Sequence, residues 1–124
     1  MCKIRCIVVD DEPLAVEMIA AFIRKTPSLE LAGTFTDPVV ALSRIGEMNP
    51  DLVFLDIQMP DMDAFEVLKK IEDDDMPLIV FTTAYENFAL RAYEENTVDY
   101  LLKPVDPERL EATMEKLRKR FSTV

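Results

Sequence analysis

Asp51-Leu-Val-Phe-Leu-Asp56-Ile-Gln-Met-Pro60 is an apolar run that stops on a carboxylate, with Pro50 just before it and Pro60 closing it. Four consecutive apolar residues, Leu52 to Leu55, leave no polar face for water, so the pattern predicts a strand buried on both sides of a sheet. Ending such a strand on the charge of Asp56 is unfavourable unless its carboxyl end opens into a solvated crevice. Open α/β sheets keep their ligands in such crevices.

The same arrangement recurs on either side of this run. Ile4 to Val9 precede Asp10-Asp11, Leu78 to Phe81 precede Thr82-Thr83, and Val98 to Leu102 precede Lys103-Pro104. If the strands are parallel, Asp10, Asp11, Asp56, Thr83 and Lys103 converge on one edge of one sheet. Singly these signals are weak: an Asp-Asp pair after a strand is more often a helix cap, and a lone Lys-Pro is usually a turn. Their joint placement after four strands is what marks a site.

Helix-like segments fill the gaps. Pro13 to Lys25 carries Ala15, Met18 or Ile19, Phe22 and Ile23 at steps of three and four; Leu29 to Phe35 reads as a second strand; Asp37-Pro38 reads as an N-cap followed by proline at the first helical position, with Ala41, Ile45 and Met48 inward. A loop over Gln58 to Asp63 leads into a third helix with Phe65, Leu68 and Ile71 inward. Glu86 to Glu95 reads as a weakly amphipathic fourth, and Asp106-Pro107 starts a last one with a stripe of Leu110, Met114, Leu117 and Phe121. In this last helix Lys116, Arg118, Lys119 and Arg120 suit the C-terminal dipole. Strands alternating with helices at this spacing predict an α/β fold, a single doubly wound domain over residues 1–124.

Composition narrows the chemistry. Apolar residues make up 49% and charged residues 31%, and no apolar run approaches a membrane span. The N-terminus enters a strand directly without a secretory pattern, so a cytoplasmic location is expected. There is no histidine, which excludes a Cys/His zinc site and a histidine-based triad. Cys2 and Cys6 lie too far apart along one strand for a comfortable disulfide and are expected to be free thiols. The net charge of −10, from 24 acidic against 14 basic residues, opposes direct DNA binding by this chain.

Three carboxylates brought close together must take up a proton or share a cation. An all-oxygen site suits Mg²⁺, which keeps waters that a phosphate can replace. With a lysine nearby, that is the equipment of phosphoryl transfer, with Asp56 as nucleophile and the Thr83 hydroxyl as a donor to a phosphoryl oxygen.

Val8-Val-Asp-Asp-Glu12, Phe54-Leu-Asp-Ile-Gln-Met-Pro60, Thr82-Thr-Ala84 and Asp99-Tyr-Leu-Leu-Lys-Pro104 together resemble receiver domains of bacterial two-component response regulators. Phe81 to Leu90 with Asp99-Tyr-Leu-Leu102 is most similar to receivers that precede a LytTR-type DNA-binding domain. The resemblance implies a CheY-like (flavodoxin-like) five-stranded parallel sheet of order 2-1-3-4-5 with helices on both faces. It implies Asp56 as phosphoacceptor, Mg²⁺ held directly by Asp11, Asp56 and the backbone carbonyl of Gln58 with Asp10 acting mainly through water, and Lys103 paired with the phosphoryl group and placed by a cis bond to Pro104. Thr83 and Tyr100 would be a switch pair, and Gln58 and Tyr85 would tune the lifetime of the phosphorylated state.

The partners so implied are a sensor histidine kinase, a second copy of the chain on phosphorylation through the face of the fourth helix, fifth strand and last helix, and DNA only through a C-terminal output domain. The chain would then be the N-terminal part of a longer transcription regulator; a stand-alone receiver acting through protein contacts is the alternative. One departure is Ala64, where the family usually has glycine. An aspartyl phosphohydrolase is disfavoured, because such enzymes commonly keep a second acid two residues after the nucleophile, where this chain has Gln58.

Overall fold

The computed structural model describes residues 3–57, 69–71, 77–84, 97–103 and 105–122, without the side chains of 97 and 120–122. Five strands, β1 (Ile4–Val9), β2 (Leu29–Phe35), β3 (Leu52–Asp56), β4 (Leu78–Thr83) and β5 (Thr97–Leu102), form one sheet in the order β2-β1-β3-β4-β5, with every pair parallel. The expected topology is the observed one.

Side chains of the inner strands alternate between two cores. Cys6 and Val8 of β1 with Leu52 and Phe54 of β3 pack against α1 (Pro13–Lys25) and the C-terminal helix (Pro107–Ser122). Ile7, Val9, Val53 and Leu55 pack on the opposite face against Ala41 and Ile45 of α2 (Pro38–Met48) and against Ile71. All these strand residues are buried, which is why the run Leu52 to Leu55 has no polar position.

The helices start where proline and aspartate permit. Pro13 and Pro38 open α1 and α2, where a missing N–H costs nothing, and Asp37 Oδ1 accepts the Val39 N–H at 2.9 Å. α2 stops on Asn49, left-handed at φ 47°, a conformation asparagine tolerates better than most residues. Asp106 caps the C-terminal helix by accepting the Glu108 N–H at 2.9 Å.

Some details depart from the sequence reading. The buried stripe of α1 is Val16, Ile19, Ala20 and Ile23, at steps of three and four, which leaves Met18 half-exposed. β3 and β4 run one and two residues further than the apolar runs, so that Asp56, Thr82 and Thr83 lie within the ladder, Asp56 paired with Thr82. Lys116 pairs with Asp99 on β5 rather than with the end of its own helix. Cys6 is a buried free thiol whose pKa burial, with the nearby charge of Asp51, pushes up to about 12. Cys2, the third helix apart from residues 69–71, the fourth helix, Ala64 and Phe121 as a side chain fall outside what is described. Among the described residues no helix is long and apolar enough to cross a membrane.

Candidate functional site

The parallel ladder brings the carboxyl ends of β1 and β3 together, and with them Asp10, Asp11 and Asp56. One carboxylate oxygen from each lies within 4.8 Å of the others. Asp10 and Asp56 are buried and Asp11 is half-buried. From β5, Lys103 enters the same space, its backbone N–H donating to the Thr83 carbonyl at 2.7 Å. Its ammonium lies 2.9 Å from Asp10 Oδ2 and 3.5 Å from Asp56 Oδ2. Four of the residues predicted to converge are thus gathered, and Thr83 is buried at the end of β4 beside them.

Burial raises the Asp56 pKa, the adjacent charge of Asp10 raises it further, and Lys103 only partly offsets them, so it is pushed up to about 7. The cluster is short of positive charge. Lys103 is held above the usual lysine range: burial opposes its charge, but hydrogen bonds to Glu12 and Asp10 outweigh that cost.

Asp10 Oδ2 is buried and, although Lys103 lies close, has no aligned hydrogen-bond donor. A buried carboxylate oxygen without a donor, beside two further carboxylates, fits a hard cation that takes oxygen ligands. The donor set contains no nitrogen or sulfur.

Two features of the site were not anticipated. Glu12 Oε1 accepts from Lys103 Nζ at 2.7 Å, the shortest of that ammonium's contacts with carboxylates. On β5, the buried Asp99 receives both terminal nitrogens of Arg109, the Thr113 hydroxyl, Lys116 and the Tyr100 N–H. Burial of Asp99 is more than offset by these donors, led by Arg109, and its carboxyl is held well below the usual range. A polar stripe, Arg109, Thr113 and Lys116 at four- and three-residue spacing, was the available signal. Tyr100 sits half-buried on β5, and burial raises its phenol pKa. Gln58, Tyr85 and Pro104 lie outside the described residues.

Comparison with known proteins agrees with this geometry. The sequence profile of the family described as the response regulator receiver domain matches residues 6–115. An uncharacterised response regulatory protein of Vibrio vulnificus is 46% identical over 116 residues, 94% of this chain and 48% of the relative. The transcriptional regulatory protein BtsR of Escherichia coli is 40% identical over 119 residues, 96% of this chain and 50% of that one. The chain therefore spans about half the length of the curated relatives it matches. Among solved structures, the response regulatory domain of mrkE from Klebsiella pneumoniae superposes with a TM-score of 0.82 at 29% identity, covering 97% of this chain and 99% of that one. The receiver domain of AraT from Geobacillus stearothermophilus gives 0.84 at 27% identity, covering 96% and 95%.

Proposed function

This chain belongs to the response regulator receiver family and acts as a phosphorylation switch; from that premise we propose that Asp56 is the residue that takes the phosphoryl group. The observation that carries the proposal is the meeting of Asp10, Asp11 and Asp56 within 4.8 Å, with the Lys103 ammonium 3.5 Å from Asp56.

In the reaction an Asp56 carboxylate oxygen attacks the phosphorus of a phosphohistidine or of a small acyl phosphate. The new O–P bond forms as the bond from phosphorus to the leaving group breaks, and the leaving group departs with the electron pair. Asp10, Asp11 and Asp56, with the backbone carbonyl of Gln58, would hold Mg²⁺, which when bound neutralises charge on the phosphoryl oxygens. Lys103 pairs with the phosphoryl group and the Thr83 hydroxyl donates to it. Thr83 and Tyr100, on the neighbouring strands β4 and β5, then carry the change to the outer face of β5, where a second copy of the chain docks. Gln58 and Tyr85 set how readily water reaches the adduct.

A longer protein of which residues 1–124 are the receiver domain would use this switch to control transcription, with a sensor histidine kinase upstream. The relative named as a transcriptional regulator and twice this length supports that output. Borohydride reduction of the phosphorylated chain tests the assignment, since it converts an aspartyl phosphate to homoserine. Homoserine at position 56 is expected; homoserine at position 10 or 11 instead would overturn it.

A further inference from the structure

Glu12 is an unusual residue for its place. It occupies the N-cap of α1, where Ser, Thr, Asp or Asn normally accept an N–H from the first turn, yet its side chain caps nothing. Its carboxylate goes to Lys103 instead, at 2.7 Å, while remaining 62% exposed. Glu12 is outside the group of three carboxylates able to share a cation.

Lys103 therefore divides one ammonium among three acids. Asp10 at 2.9 Å and Asp56 at 3.5 Å lie within the cation-binding cluster, and Glu12 lies outside it. Binding a cation engages Asp10 and weakens its hold on the ammonium. Nothing in the site removes Glu12. A phosphoryl group arriving on Asp56 must take Lys103 from that exposed carboxylate.

The surroundings allow the exchange. A cavity of about 350 Å³, walled by Ala15, Ile19, Ala84 and Val105, adjoins both Glu12 and Lys103. Both side chains thus border open space beside their contact.

Resting on the assignment of Asp56 as phosphoacceptor, we propose that Glu12 is a positioning residue: it holds Lys103 off the phosphoryl group and thereby limits how fast the aspartyl phosphate forms and how long it lasts. The contact has one exposed partner, so its effect is modest, about two- to fivefold in rate.

The test uses the full chain, acetyl phosphate and Mg²⁺, with adduct formation and decay followed by intact mass. Glu12→Gln removes the charge; Glu12→Asp keeps the charge but shortens the arm by one methylene, so that it no longer reaches the ammonium. Both variants are expected to form the adduct faster and lose it more slowly than wild type. Glu12→Gln should melt as wild type does and Glu12→Asp, whose shorter carboxylate can cap α1, no lower than wild type, and the Mg²⁺ affinity of Glu12→Asp, by calorimetry, should lie within twofold of wild type. Acceleration in Glu12→Gln alone would make Glu12 a source of general field and overturn the positioning role, as would wild-type rates in both. Absence of any adduct on the wild type would defeat the phosphoacceptor assignment, and the proposal with it, whereas an adduct with unaltered kinetics in both variants defeats only the role of Glu12.

Discussion

Arg109 grips Asp99 through both terminal nitrogens, at 2.7 and 2.8 Å, and so ties the C-terminal helix to the edge strand of the sheet. Asp99 is buried, and its other bonds to Thr113 and Lys116 run to the same helix. Replacing it with alanine removes several charge-assisted bonds and leaves the buried Thr113 hydroxyl donating only over its longer bond to the Arg109 carbonyl, at 3.3 Å. Asp99→Ala should cost about 2–3 kcal/mol of stability, read as a lower urea midpoint. Arg109→Ala should cost less, because Lys116 and Thr113 remain.

The same carboxylate gives an acid limb to the stability curve. Its folded pKa is depressed, so its contribution is complete above the unfolded pKa of about 3.9 and fades as pH falls through that value toward the folded one. Urea midpoints should therefore drop below about pH 4 in wild type, and the drop should be smaller in Asp99→Asn.

Asp56 has the opposite sign. Its pKa is raised to about 7, so between the unfolded value and 7 the folded chain holds a proton that the unfolded chain has lost. Metal-free stability should fall as pH rises through that window. A divalent cation must displace the proton, so Mg²⁺ affinity should rise about tenfold per pH unit below 7 and level off above it. Calorimetry at pH 5.5, 6.5 and 7.5 checks this; an affinity independent of pH would mean Asp56 is already ionised.

Phe54 is 1% exposed on the core between β1, β3 and α1, two residues from Asp56. Phe54→Ala should cost about 3–5 kcal/mol and threaten folding, whereas Phe54→Leu should cost far less. Chemical denaturation distinguishes them.

Strand order was legible only through the resemblance to receiver domains, but the gathering of Asp10, Asp11, Asp56 and Lys103 was legible from the residues, because each follows or ends an apolar run and parallel pairing turns that position into proximity. The ends of β3 and β4 were not, since ladder pairing of Asp56 with Thr82 extends past the last apolar residue and hydrophobic pattern stops there. Nor could sequence say which acid the ammonium of Lys103 prefers. A four-carbon stem reaches Asp10, Glu12 and Asp56 alike, and only the folded position of Glu12, at the N-cap of α1, gives it the shortest contact. Asp99 lies in the strand the pattern predicts, but its anchoring of the C-terminal helix was not legible, because its partners lie 10, 14 and 17 residues away on a face that reads as solvated.

The most direct measurement is intact mass after incubation with acetyl phosphate and Mg²⁺, on wild type, on Asp56→Asn and on wild type with chelator. One phosphoryl group should be added to wild type and none in either control. A folded wild type that gains no phosphoryl group, or an Asp56→Asn variant that gains one as readily, would contradict the assignment of Asp56.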